Sequence, residues 1–374
     1  MVQTELKEFD LSVLAPNGLR RGRTTGSCAT AAVKAALYLL HGERRSEVRI
    51  TLPDAAHYLT VPIQNSCWLN EHTTRAEVQK DGGDDPDNTH GATIFAEVRR
   101  NDKGRLRFFA GDGVGTATQP GLRVAVGEPA INPTPRKMMR QAVVDVSGND
   151  EGFDLTIGCV NGEAIARKTF NPKLGIVGGI SILGTSGLVE PLSLASWIAS
   201  IEVYVRVALG NDANSIALLP GKIGRSYAKE RLGLPERRSV QIANFLGDAL
   251  DFLQQALTEQ QRRLDVLWLL GHPGKLAKML DGVWDTHSSR SGMAMNVVAR
   301  MAAERGFNSF LVQELERANT VEAAIQRLTN EPEAQALWID IEQRIAALVH
   351  GRVPDVQRVE VRLFNLQGDS LGEL

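Results

Sequence analysis

Along the first half of the chain, short apolar runs alternate with polar positions. Residues 48–52, 59–63, 75–79, 93–98 and 106–109 each show the period of two expected of a strand with one buried face. Ahead of them an alanine-rich stretch, 29–40, predicts a helix that Ser27 is placed to cap. A second helix is predicted after Pro135, over 137–146, and a third from Ser193 to near Gly210. In the second half the rhythm changes. Apolar runs at 215–219, 240–243 and 266–270 are separated by helical patterns at 223–232 and 248–263, with another helical pattern at 275–280. Strand, helix, strand, helix, strand predicts a parallel sheet with crossover helices. The segment after Met293 reads as mostly helical, and 359–364 as a returning strand. The expected architecture is therefore α/β and α+β: a mixed α+β part over residues 1–190, then a Rossmann-like parallel βαβ part with a helical tail over 191–374.

Composition narrows the classes. The chain has 374 residues with Lys+Arg 42 against Asp+Glu 44. So even a balance argues against a nucleic-acid partner, which calls for a basic stripe. The segment 1–10 carries Glu5, Lys7, Glu8 and Asp10 and lacks the apolar core of a secretory signal. The longest uncharged runs are too short or too interrupted to span a bilayer. A cytoplasmic protein is expected, with assembly into identical copies left open. Cys28, Cys67 and Cys159 are odd in number and widely spaced, so neither a disulfide framework nor a CxxC pair is expected.

Familiar catalytic signatures fail. Gly111-Asp112-Gly113-Val114-Gly115 approaches GxGxxG, but Thr116 and Thr118 stand where the last glycine is needed. Both Gly-Lys pairs lack the rest of a P-loop. The run from Asp81 to Asp87 misses an EF-hand because Gly83 and Ala92 occupy ligand positions. HExxH and GxSxG are absent, and no metal site of the protein's own is expected.

What remains is a series of polar, glycine-bearing blocks. Arg20-Arg21-Gly22-Arg23-Thr24-Thr25-Gly26-Ser27 is a basic, hydroxyl-rich entry to a helix, suited to an anion or simply to capping. Lys80-Asp81-Gly82-Gly83-Asp84-Asp85-Pro86-Asp87 crowds four carboxylates beside His90. They either point to water or meet a cation, and acid–base work is open to them. Gly127 to Arg136 is a loop stiffened by three prolines. The stretch from Gly178 to Gly187 lets backbone approach a flat or charged ligand, or makes a tight turn. Gly271-His272-Pro273-Gly274-Lys275 falls at the carboxyl end of a predicted parallel strand, and Trp284-Asp285-Thr286-His287-Ser288 brings a further histidine, each histidine being structural by default.

Taken in order, Arg23 to Ala29, Lys80 to Gly91, Ala130-Ile131-Asn132-Pro133, Thr169-Phe170-Asn171-Pro172, Gly178 to Gly187 and Gly271 to Lys275 resemble the cobalt-precorrin-5B C1-methyltransferase family (CbiD). The resemblance is collinear from about Arg20 to Ser288. It departs at Ala243, where a serine is expected before Asn244, and at Asn88. It implies methylation of carbon 1 of a cobalt corrin precursor by S-adenosylmethionine in anaerobic cobalamin synthesis, cobalt being part of the substrate. A corrinoid carrier without activity is the competing reading. The substrate is a polyanion, so Arg23, Thr24, Thr25, Ser27, Arg136, Lys168 and Lys275 are its expected contacts. Gly178, Gly179, Gly184, Thr185, Ser186, Gly271 and Gly274 are the expected donor contacts. Asp81, Asp84, Asp85 and His90 are expected to balance the sulfonium or handle a proton, with His272 the alternative base.

Overall fold

The first helix runs Thr25–Leu40 in the computed structural model, which describes residues 6–150, 152–287 and 292–373. It begins earlier than the sequence predicts. Thr24 has the extended backbone of a cap (φ −73°, ψ 163°), and its Oγ1 accepts from the Ser27 N–H at 3.1 Å. Ser27, the expected cap, lies inside the helix and donates its hydroxyl to the Gly187 carbonyl at 2.6 Å. Cys28, Ala29, Ala31, Ala32, Val33, Ala36 and Leu37 are wholly buried. A helix apolar on all sides needs partners on all sides. Here they are two sheets and the helix Pro133–Ser147, to which Lys34 is tied by an ion pair with Asp145 at 2.7 Å.

The larger sheet has the order Asn65–Asn70, Thr73–Gln79, Thr93–Arg100, Phe153–Cys159, Arg107–Ala110, antiparallel except for its last pair. Ala76 pairs with Ala96 in the register. These small residues let the alanine helix sit so close that the Thr74 hydroxyl reaches the Ala36 carbonyl at 2.8 Å. The smaller sheet joins Lys7–Glu8, His57–Pro62 and Glu47–Thr51. Pattern reading missed two strands of the larger sheet, besides the two-residue strands such as Lys7–Glu8. Asn65–Asn70 is largely exposed, and Phe153–Cys159 is buried at all but one position, so neither alternates.

The chain divides into two compact units, Met1–Leu194 and Ala195–Leu374, each with its own hydrophobic core. The second unit begins one residue into the helix Leu194–Leu209 and contains a four-stranded, wholly parallel sheet in the order Ser239–Gln241, Ser215–Leu219, Leu264–Gly271, Val356–Leu363. Ile216, Leu218, Leu267 and Leu269 pack with the helices Leu246–Glu259 and Ala334–Arg352. Ala217, Leu219 and Leu270 pack with Ala228 of the helix Gly224–Glu230. Both faces are thus covered, as a parallel sheet requires. The helix expected over 275–280 is instead Pro273–Leu276 followed by a 3₁₀ turn, Ala277–Asp281. The fold is mixed α/β, and no helix among the described residues is long and apolar enough to cross a membrane.

Candidate functional site

In the first unit the basic block and the acidic block pack directly on one another. Gly83 holds φ +66°, and a Cβ there would stand 2.2 Å from the Arg20 carbonyl, so only glycine fits. Backbone bonds run from Arg23 N–H to the Asp81 carbonyl at 2.7 Å and from Asp84 N–H to the Arg20 carbonyl at 3.0 Å. Most of the loop's carboxylates are committed to this chain. Asp84 accepts from the Arg20 N–H at 2.8 Å and Nε at 3.3 Å, and the backbone bond holds its carboxyl below the usual range. Asp85 accepts from the Leu192 N–H at 2.9 Å. Asp87 pairs with Lys80, itself 2% exposed, at 2.6 Å. Burial alone would raise the Asp87 carboxyl, but the Lys80 charge and the bonds from Lys80 and Thr89 bring it below the usual range.

Asp81 differs. Its Oδ1 accepts from the Gly83 N–H at 2.9 Å and stands 3.9 Å from both Arg20 and His90, while Oδ2 has no hydrogen-bond partner among the described residues. His90 accepts from the Gly82 N–H through Nδ1 at 3.1 Å. The neutral ring therefore carries its proton on Nε2 and presents a donor, so the free lone pair expected of a base lies elsewhere.

Around the helix entry the predicted substrate contacts divide. Thr24, Thr25 and Ser27 are buried. The Thr25 hydroxyl accepts from Leu183 N–H at 2.9 Å, and the Ser27 and Thr24 hydroxyls reach the Gly187 carbonyl, so these groups bind the glycine-rich run rather than face outward. Arg136 is held by the Ile131 carbonyl at 2.8 Å and Glu128 at 3.0 Å. Lys168 is exposed. Arg23 differs from the other predicted contacts: its Nε is buried and has no hydrogen-bond partner among the described residues, as is also true of Arg238 and Arg362 elsewhere in the chain. Close packing explains two of the predicted donor glycines. A Cβ on Gly179 would be 2.1 Å from the Gly113 carbonyl, and one on Gly184 would strike Thr24 at 2.5 Å. Gly178, Thr185 and Ser186 are exposed. Cys28, beside Lys80 and Arg23, is inert: burial pushes its thiol up to about 12, against the pull of those two charges.

Sequence reasoning missed an apolar feature of the same loops. Phe170, Val177 and Leu183 are 47%, 61% and 48% exposed. Their segments are tied together: Asn171 donates to the Gly179 carbonyl at 3.0 Å, Ser181 to Asn171 at 3.3 Å, and Asn88 to the Lys168 carbonyl at 3.0 Å. No periodicity in these loops distinguishes an exposed apolar side chain from a buried one.

The second unit carries the remaining predictions at the carboxyl end of Leu264–Gly271. His272 accepts from Gly274 N–H through Nδ1 at 3.0 Å and meets Glu322 through Nε2 at 3.1 Å. Both nitrogens are engaged, and burial holds the ring's pKa below its usual value despite Glu322. Gly271 is buried, and a Cβ on Gly274 would crowd the His272 ring at 2.8 Å. The Lys275 amine donates to the Pro220 carbonyl at 2.8 Å. His287 is exposed, and Ser288 lies outside the described residues. Among the described residues no group of three or more His, Cys, Asp or Glu stands where it could hold a metal ion.

The arrangement is that of a small-molecule-binding α/β protein. Its first unit presents loops that carry exposed apolar side chains and an arginine whose Nε has no hydrogen-bond partner among the described residues. The chain belongs to the CbiD family: CbiD matches residues 13–191, and the CbiD C-terminal domain matches 285–373. It is 61% identical, over 98% of either chain, to the cobalt-precorrin-5B C(1)-methyltransferase of Chromobacterium violaceum. Its identity to the protein of that name from Ralstonia nicotianae is 63%, over 98% of this chain and 96% of that one. A crystal structure of the cobalamin biosynthesis protein (cbiD) from Archaeoglobus fulgidus is 27% identical, covering 79% of this chain and 87% of that one, with a TM-score of 0.39.

Proposed function

We propose that the chain methylates carbon 1 of cobalt-precorrin-5B to give cobalt-precorrin-6A, with S-adenosylmethionine as donor, in the cytoplasmic, anaerobic route to cobalamin. The observation that carries this is 61% identity across 98% of both chains to a protein of that name. When bound, the donor supplies an electrophilic methyl group on a sulfonium. The chain's own residues then have to hold acidic groups, offer a flat apolar surface and place one negative charge. Arg23, with its orphaned Nε, and exposed Lys168 suit the acid side chains of the macrocycle, each charge-assisted bond contributing about 1.5–3 kcal/mol. Phe170, Val177 and Leu183 offer the apolar surface, and Gly178, Thr185 and Ser186 supply exposed backbone and hydroxyls beside it. Asp81, the loop acid with a free oxygen, balances positive charge or accepts a proton, and His90 supports it as a donor. We read the parallel sheet of the second unit as a Rossmann-like layer whose carboxyl end also meets a ligand.

Purified protein incubated with cobalt-precorrin-5B and methyl-labelled S-adenosylmethionine should give a macrocycle heavier by one labelled methyl, read by mass spectrometry. Macrocycle that stays bound but unchanged would replace the enzyme with a corrinoid carrier. Asp81→Asn should lower kcat by about tenfold or more, whereas Asp85→Asn should stay within about threefold, a barrier change of only ~0.6 kcal/mol. Equal losses for the two would remove Asp81 from its role.

A further inference from the structure

The strand order of the second unit places Ser215–Leu219 between the next two strands of the chain, Ser239–Gln241 on one side and Leu264–Gly271 on the other. The winding direction therefore reverses beside Ser215–Leu219. Connections that diverge from such a reversal leave a crevice outside the strands' carboxyl ends, where ligands of open α/β sheets lie. Its rim here is Pro220-Gly221 on one strand and Gly271-His272 on the other. Beyond its two chain neighbours, no atom of the described residues stands within 4 Å of where a Cβ on Gly221 would be, so that side is open.

A cation and a hydroxyl occupy this end. The Lys275 amine donates to the Pro220 carbonyl at 2.8 Å and to the Ala243 carbonyl at 3.4 Å, and no carboxylate lies within ion-pair distance of it among the described residues. Ala243 sits at φ +51°, a left-handed conformation that costs a non-glycine residue about 1–2 kcal/mol and persists where the surroundings impose it. The next carbonyl, of Asn244, accepts from the Thr286 N–H at 3.1 Å. Thr286 is 4% exposed, and its hydroxyl has no hydrogen-bond partner among the described residues. Leaving a buried hydroxyl unpaired costs about 1–3 kcal/mol, and valine would fill the same space without that cost. Lys278, 8% exposed, brings a second ammonium to the Thr286 carbonyl at 3.3 Å. Burial, and then the charge of Lys278, pulls the Lys275 amine below its usual pKa. An anion placed here would relieve the desolvated charge, the repulsion between the ammoniums and the unpaired hydroxyl together.

We propose that this strand end is a carboxylate-binding site, with Lys275 supplying the charge and the Thr286 hydroxyl the directional bond. The inference rests on the reading above, under which the chain meets two carboxylate-bearing molecules, the methyl donor through its amino-acid end and the macrocycle through its acid side chains. Calorimetric titration of the full-length chain with S-adenosylmethionine, its decarboxylated analogue and cobalt-precorrin-5B distinguishes them. The variants are Thr286→Val and Lys275→Met, with unliganded melting followed alongside. Thr286→Val should leave the melting temperature unchanged or higher and weaken one carboxylate ligand by about tenfold or more. If the donor is the source, S-adenosylmethionine weakens while its decarboxylated analogue binds as to the wild type. If the macrocycle is the source, donor affinity holds and cobalt-precorrin-5B weakens. Affinities within about twofold of wild type for both ligands in Thr286→Val overturn the site, as does a lower melting temperature without a ligand-specific loss. Binding is read without turnover. A wild-type protein that binds these molecules but transfers no methyl sinks the functional reading and leaves the variants to judge the site.

Discussion

Lys80 decides how the acidic loop behaves, because its ammonium is buried and its one ion-pair partner among the described residues is Asp87. Removing one member of a buried pair leaves the other uncompensated. Lys80→Met should therefore cost about 3–5 kcal/mol in urea unfolding, with Lys80→Met/Asp87→Asn recovering part of it. The Asp87 carboxyl lies below its usual range when folded, so the stability it gives is present above the ordinary carboxylate range and is lost as pH falls through the folded value. In Lys80→Met that acid-side loss should shrink. From the sequence, Lys80 was simply the first residue of a charged run. A pairing seven residues along a loop has no period to reveal it, nor does the choice of His90 Nδ1 as acceptor for Gly82. What the sequence did reveal was that the blocks around Arg20 and Asp81 are unusual. Which of their groups are spent on each other, and which, like Arg23 Nε, are left over, is decided by folding.

At the scale of elements, legibility followed burial on one face. Thr73–Gln79 alternates strictly between buried and partly exposed positions up to its last residue, and it was found within two residues of its ends. Phe153–Cys159 was missed because both its faces are covered. The alanine helix was legible as a helix. That it is enclosed on all sides was not, since alanine is as common on surfaces as in cores. The enclosure makes a direct prediction. Ala32, wholly buried in that helix, has no room for a larger side chain, so Ala32→Leu should destabilise by about 1–3 kcal/mol in denaturant unfolding, while Ala32→Ser should cost less through volume and show instead the cost of a buried hydroxyl. A neutral Ala32→Leu would mean that the packing around the helix is loose.

At the scale of the whole molecule, two cores imply two unfolding steps, seen in calorimetry as an enthalpy larger than the van't Hoff value. Ala32→Leu should move one step and Glu342→Gln the other. Glu342 is 3% exposed in the helix Ala334–Arg352, where it accepts from Leu363 N–H at 2.7 Å and Glu373 N–H at 3.1 Å and so ties both segments to the helix. Burial raises its carboxyl to about 7; the two N–H bonds and Arg362 pull it down, while the Glu373 charge pushes it up. A folded value above the unfolded 4.5 means the native state holds the proton more tightly. That contribution is complete below 4.5 and is lost as pH rises through about 7, a change of roughly 3 kcal/mol across the window. In the first unit Asp87 and Asp154, the latter bound by Arg107, Arg99 and Asn101, lie below their usual range and give the opposite slope at lower pH. Lowering the pH from 7.5 to 5 should therefore raise the melting temperature of the second unit before acid lowers that of the first, less an opposing loss from His272. The depressed His272 ring costs stability as pH falls through its unfolded 6.5, so Glu342→Gln should abolish the rise and leave that loss. If the two transitions moved together with pH in the wild type, the buried Glu342 would not be titrating where its surroundings place it.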